Sequence, residues 1–157
     1  MNATLRAATA IDAPRVAGLL IDTRAKFMPY APSPHSDEEL RMWVAGHLVP
    51  NGGVVVAEVD GRVVATMATE TDGKSSWITQ MAVDPSLVGQ GLGSLLLAHA
   101  MQTLAPPIFL YTFQANSGAR RFYERHGFIA IEFTDGQANE ERCPDVPYEF
   151  CSPRDEA

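Results

Sequence analysis

Cysteine is scarce in this chain: Cys143 and Cys151 are the only two among 157 residues. Two cysteines make neither a disulfide framework nor a zinc site, so a reducing cytoplasm is the simplest compartment and no metal is expected. Positive charge is also short, with 12 lysines and arginines against 19 aspartates and glutamates and a net charge of −7. That balance argues against a nucleic-acid partner, because phosphate backbones are gripped by Lys and Arg. It is compatible with a cationic partner such as an amine. No apolar run approaches the length that crosses a bilayer, so no membrane partner is expected. Residues 1–12 lack the basic-then-apolar layout of a secretion signal. Repeats and linkers are missing too, and a chain of this length is expected to form one domain, 1–157, with a real core.

What stands out instead is glycine at one junction. Trp77-Ile78-Thr79-Gln80-Met81-Ala82-Val83 is rich in β-branched and aromatic residues and reads as a strand. Asp84-Pro85 ends it, since proline cannot donate to a ladder. Val88-Gly89-Gln90-Gly91-Leu92-Gly93-Ser94 follows. Leu92, Leu95, Leu96, Ala100, Met101 and Leu104 then recur at helical steps, the pattern of one buried face. A helix N-terminus presents unpaired N–H groups and the positive end of the dipole, and glycines keep side chains out of the way. A phosphate or pyrophosphate can therefore rest on the amides of Gly89, Gln90, Gly91, Leu92, Gly93 and Ser94. A P-loop would need a lysine after the last glycine, and a dinucleotide fingerprint a further glycine where Ser94 stands. The plain alternative is a glycine turn that only lets helix and strand pack closely.

The rest of the chain reads in order. Leu5-Arg6-Ala7-Ala8 is a short strand. Asp12 is an N-cap with Pro14 in the first turn of a helix carrying Val16, Leu19, Leu20, Thr23 and Phe27. Three prolines make residues 28–35 a loop. Ser36 with Glu39 is a capping box opening a helix with Leu40, Trp43, Val44 and Leu48. Asp60-Gly61 is a two-residue hairpin turn between strands 54–59 and 62–69. Residues 108–113 form a buried strand, Asn116 caps a helix that Gly127 ends, and 128–133 and 146–151 are the last strands. Residues 134–144 are an acidic loop, and 152–157 a tail expected to fray.

Two segments together resemble a known family. Met81-Ala82-Val83-Asp84-Pro85 with Gly89-Gln90-Gly91-Leu92-Gly93-Ser94-Leu95-Leu96 is similar to motif A of the GNAT superfamily of N-acetyltransferases. Asn116-Ser117-Gly118-Ala119-Arg120-Arg121-Phe122-Tyr123-Glu124-Arg125-His126-Gly127-Phe128 looks like its motif B. One departure is that Val88 or Gly89 stands where the family usually places Arg or Gln, so the loop brings no positive side chain to the pyrophosphate. The resemblance implies an α+β fold: a mostly antiparallel mixed sheet of about seven strands flanked by four helices, splayed between the motif strand and the next. It implies acetyl-CoA as co-substrate, with pantetheine in the splay.

The same resemblance assigns roles. Backbone N–H groups of Met81, Ala82 and Val83 would polarise the thioester carbonyl. Asn116 would hold pantetheine, and Tyr123 would protonate the leaving sulfur. The family's base positions fall on Trp77 or near Tyr111, and neither is a base. Glu70, Glu140, Glu141, Asp145, His35, His126 and a water relay are the candidates. Arg120, Arg121 and Arg125 are the nearest cations for the phosphates. The acceptor pocket would be shaped by residues 28–35 and 134–144. They bring Tyr30, His35, Glu140, Glu141 and Asp145, a mix suited to a cation beside an aromatic wall, and the candidate contacts are Tyr30, His35, Glu70 and Glu141. The function expected is N-acetylation of a primary amine, on a small molecule or a peptide. The competing reading is a coenzyme A-binding module without turnover. Many relatives pair as homodimers.

Overall fold

The computed structural model describes residues 2–151; the tail 152–157 lies outside them. β1 (Thr4–Ala7) leads through a short turn into α1 (Ala13–Phe27), and α2 (Asp37–Trp43) continues as a π-helical turn at Val44–Leu48. β2 (Val54–Val59), β3 (Arg62–Thr71) and β4 (Ser76–Val83) form an antiparallel meander. α3 (Leu92–Thr103), β5 (Ile108–Phe113), α4 (Ser117–Arg125), β6 (Ile129–Ala130) and β7 (Asp145–Phe150) complete the chain. The sheet has seven strands in the order β1-β2-β3-β4-β5-β7-β6, and only β4 and β5 run parallel.

Local chemistry explains most of these bounds. At the β2–β3 turn Asp60 and Gly61 both take positive φ, 53° and 76°, the twist that a two-residue hairpin demands. Ser36 and Glu39 form the expected capping box, with Ser36 N–H donating to Glu39 at 2.8 Å and Glu39 N–H donating to Ser36 at 3.1 Å. α4 ends as Gly127 turns to φ 91° and Phe128 N–H reaches back to Tyr123 O at 3.0 Å, a Schellman ending.

Three expectations change. Asp12 does not cap α1; it adopts helical geometry itself and accepts two bonds from Arg6, at 2.7 and 2.9 Å. An arginine fork outcompetes an N-cap for the same carboxylate. The strand expected at 128–133 shrinks to Ile129–Ala130. Ile131 N–H still donates to Pro147 O at 2.9 Å, but Pro147 has no N–H to return. Leu95, expected on the buried face of α3, is 37% exposed, while Leu97 is fully buried beside Leu96. α3 fills its turn against the sheet with adjacent leucines rather than a strict stripe.

Two clusters divide the core across the sheet. α3 and α4 cover one face, with Leu92, Leu96, Leu97, Ala100 and Phe128 packed on Met67, Ile78, Ile108, Leu110 and Tyr148. α1 and the second helical segment cover the other over β2 to β4, through Val16, Ala17, Leu19, Val44 and Leu48 on Val54, Val56 and Ala82. Among the described residues no helix is long and apolar enough to cross a membrane.

Candidate functional site

The β4–β5 ladder is short. Ser76 pairs with Ile108 and Trp77 with Phe109, and there it stops, although both strands continue, β4 to Val83 and β5 to Phe113. A gap therefore opens along the outer half of β4. Asp84 N–H donates to Val64 O at 2.8 Å, so its backbone faces β3. Alternation then turns the N–H groups of Val83 and Met81 into the gap. Val83 O, on that side, accepts from Thr23 Oγ1 at 3.4 Å. Ala82 N–H, expected beside these two, is turned toward β3 by the same alternation, where Ala82 pairs with Thr66. Two of the three expected amides are thus available in the gap.

Tyr123 reaches Met81 from α4. Its hydroxyl donates to Met81 Sδ at 3.8 Å, and its ring packs edge-on to Phe122 and Phe128 at 5.2 and 5.8 Å. Desolvation pushes its pKa up to about 12. The phenol is therefore a protonated donor held beside the Met81 side chain. Seven residues earlier on the same helix, Asn116 Oδ1 accepts the cap bond from Ala119 N–H at 3.2 Å. Asn116 is thus a helix cap, and its Nδ2 is left to donate elsewhere.

The glycine loop meets α3 with little obstruction. Gly89 and Gly91 take φ 84° and 91°, and a Cβ on either would meet nothing within 4 Å. Gly91 caps α3 without a side-chain bond, so no side chain shields the first-turn amides. The cradle fits a pyrophosphate: bare N–H groups, a helix dipole and open space. Gly93 carries a packing constraint besides, since a Cβ there would lie 3.2 Å from Phe122 Cζ. It lets α4 pack against α3. Gln90 is exposed, and the Leu92 side chain is buried in the core. Ser94 Oγ meets His126 Nε2 at 3.1 Å, while His126 Nδ1 lies 2.8 Å from Phe122 O. Because a carbonyl only accepts, Nδ1 carries the proton, and in neutral His126 the Nε2 accepts from Ser94. Nothing in the sequence spacing signalled that bond.

Of the cations expected near the phosphates, Arg120 is engaged elsewhere. Its Nε donates to the Tyr148 hydroxyl at 3.2 Å and its guanidinium sits 5.0 Å from the Phe133 ring centroid. Tyr148 in turn donates to Glu124 at 2.6 Å. Arg121 and Arg125 are exposed, with no hydrogen bond or ion pair among the described residues.

The opposite face of β5 carries Phe109, Tyr111 and Phe113 in a column. At its outer end Tyr30 packs edge-on to Phe113 at 6.2 Å, and Arg24 lies 6.0 Å from the Phe113 ring while pairing with Glu141 at 3.1 Å. His35 pairs with Glu140 at 2.9 Å on the exposed rim. At the inner end Trp77 lies against Tyr111, with centroids 5.7 Å apart and planes 12° apart. The structure thus gathers Tyr30 and Glu141 at one end of the column and sets Glu70 at the other. Of the candidate bases, Glu140, Glu141, Asp145, His35 and His126 all have partners. Glu70 alone has no hydrogen bond or ion pair among the described residues.

Comparison with known proteins bears on the family and the fold. Residues 20–128 match the profile of the Acetyltransferase (GNAT) family. A mycothiol acetyltransferase of Acidimicrobium ferrooxidans is 36% identical over 86 residues, 49% of this chain and 28% of that protein. The match therefore spans less than a third of that relative's length. Among solved structures, the PaiA N-acetyltransferase of Thermoplasma acidophilum in complex with coenzyme A aligns with a TM-score of 0.77 at 17% identity, covering 97% of this chain and 100% of that one. Apo YjaB of Escherichia coli aligns at 0.76 and 19% identity, covering 97% and 99%. At these identities the likeness is one of fold.

Proposed function

The chain belongs to the acetyltransferase (GNAT) family, and from that premise we propose that it is an acetyl-CoA-dependent N-acetyltransferase acting on a primary amine, with Tyr123 as general acid. The observation that carries this reading is the 3.8 Å approach of the Tyr123 hydroxyl to Met81 Sδ, at the point where β4 has lost its β5 partner.

Bound acetyl-CoA would supply an acyl carbon activated as a thioester. The amides around Gly89, Gly91 and Ser94 hold the pyrophosphate, and Arg121 and Arg125 lend charge from α4. Asn116 Nδ2 donates to an amide carbonyl of the pantetheine arm. Met81 and Val83 N–H groups donate to the thioester oxygen, where negative charge develops during attack. Tyr123 Oη–H donates to the leaving sulfur. A phenol near 12 is a weak acid for a thiolate, but burial that raises the phenol also raises the thiol it serves. Trp77 and Tyr111 stand where the family places a base, so the amine sheds its proton to water on the open side of the sheet.

Release of free thiol from acetyl-CoA in the presence of an amine panel tests this reading. Amine-dependent thiol release that falls at least ~10-fold in Tyr123→Phe is the expected result. Coenzyme A binding with no thiol release from any amine would favour the non-catalytic binding module.

A further inference from the structure

A single row of side chains crosses one face of the sheet. Glu70 pairs with Trp77, Trp77 with Phe109, and Phe109 with Glu149. Directly paired residues point to the same face, so two carboxylates bracket two aromatic rings. Tyr111, two residues beyond Phe109, lies on that face too and is 59% exposed. The Trp77 ring stands 5.0 Å from Phe109 and 5.7 Å from Tyr111.

The row borders a cavity of about 440 Å³ lined by Glu70, Asp72, Trp77, Thr79 and Tyr111, among others. Asp72 is fixed there by the N–H groups of Lys74 and Ser75, at 3.0 and 2.8 Å, and those bonds lower its pKa. Glu70 is exposed and has no hydrogen bond or ion pair among the described residues. Stacked electron-rich rings with carboxylates at their edge suit an organic cation.

The cavity is offset from the chemistry. Thr79 lies two residues before Met81 on β4, about 7 Å along the strand, and Trp77 lies four before it, roughly 10 to 13 Å. A charge held by Glu70 is therefore too far from the bare β4 amides to be the nitrogen that attacks there. Resting on the N-acetyltransferase reading, we infer that the acceptor is a dication: a distal ammonium seats on Trp77 and Tyr111 beside Glu70, and a spacer of several methylenes delivers a second, primary amine to the gap. Attack forms the N–C(acyl) bond and breaks the C–S bond. The attacking nitrogen sheds one proton to water to become a neutral nucleophile and a second after attack, while the sulfur gains one from Tyr123, which recovers it from water. The distal nitrogen keeps its charge throughout.

The test uses the full chain with three ligands that share a six-carbon chain: hexamethylenediamine, hexylamine and aminohexanol. Binding is followed by tryptophan fluorescence without acetyl-CoA, with Trp77→Phe marking the signal that comes from Trp77. Turnover is followed separately by thiol release. Each ligand carries an ammonium that the cation site can take, so all three are expected to bind, and Glu70→Gln is expected to weaken each about 3- to 10-fold. In turnover only the diamine can fill the site and still present a second nitrogen, so its kcat/KM should exceed that of hexylamine about 10-fold, and the ratio should fall toward unity in Glu70→Gln, while the variant unfolds at the wild-type temperature. Affinities unchanged in Glu70→Gln, or a diamine preference in kcat/KM that Glu70→Gln leaves undiminished, overturns the inference. Glu70-dependent binding with no thiol release from any amine would leave the cation site standing and remove the transferase reading instead.

Discussion

Gly93 faces Phe122 so closely that a Cβ in its place would lie 3.2 Å from the ring Cζ. The Phe122 ring has little room to yield, with Tyr123 and His126 at 5.2 and 4.6 Å. This contact ties the glycine loop's helix to the helix that carries Tyr123. Gly93→Ala gains helix propensity, worth up to ~1 kcal/mol, but overpacks a contact at a cost of ~1–3 kcal/mol. A net loss of about 1 kcal/mol is expected in urea unfolding. A more stable Gly93→Ala protein would show that the ring gives way freely.

Gly91 behaves differently, because the space around it is open and its φ of 91° favours glycine. Gly91→Val would put a branched side chain over the first-turn amides of α3. Coenzyme A affinity, measured by calorimetry, should fall at least ~10-fold, well beyond what the loss in stability explains. Unchanged affinity in a folded variant would move the pyrophosphate off this loop.

The three arginines of α4 should separate in experiment. Joint replacement of Arg121 and Arg125 by Gln is expected to weaken coenzyme A binding about 3- to 10-fold and to flatten its salt dependence, since exposed charges act through a screened field. Arg120→Gln should leave that salt dependence intact and lower stability, because it breaks the contact to Tyr148 OH at 3.2 Å and the stack on Phe133. Loss of salt dependence in Arg120→Gln alone would reverse the assignment.

Much of this architecture was legible because its signals are local. The Asp60-Gly61 hairpin, the Ser36–Glu39 box, the Gly127 ending and the strand–glycine–helix unit each need only a few adjacent residues. What could not be read depends on neighbours distant in sequence. Arg6 captures Asp12 and undoes its capping role, and Pro147 cuts short a strand written plainly into residues 128–133. The packing constraint on Gly93 likewise shows only once Phe122 is placed opposite it. The aromatic row on β4 and β5 was hidden for the same reason. Only the register of Glu70 on Trp77 and Trp77 on Phe109 makes those residues neighbours.

The Arg6–Asp12 pair gives a pH-dependent prediction. Asp12 is 7% exposed, and hydrogen bonds from Arg6 lower its pKa from 3.8 to about 2. A folded-state pKa below the unfolded one means that the carboxylate stabilises fully above pH ~4 and loses that contribution as pH falls through ~2. Arg6 is 37% exposed at its side chain, so solvent screening limits the contribution to about 1–2 kcal/mol. Asp12→Asn should destabilise by that amount at neutral pH, and the difference from the parent protein should vanish near pH 2. A difference that persists there would point to packing rather than charge.

Tyr123→Phe is the most direct probe of the chemistry. The substitution keeps the ring and its packing on Phe122, Phe128 and Tyr148, and removes only a hydroxyl whose one protein partner among the described residues is a thioether at 3.8 Å. That weak bond contributes little to stability, so unfolding should shift by less than ~1 kcal/mol. An unpaired thiolate in an apolar cleft is costly, and general acid catalysis is typically worth ~100- to ~10,000-fold. Turnover should therefore fall at least ~10-fold while acetyl-CoA affinity holds. The pH profile adds an independent readout. With Tyr123 raised to about 12 by desolvation, the acid stays protonated across the neutral and mildly alkaline range. Its ionisation should then impose no alkaline fall in turnover below pH ~11. Wild-type turnover in Tyr123→Phe, measured where chemistry limits the rate, would make the hydroxyl a bystander. A large loss of stability with proportionate loss of activity would make it structural.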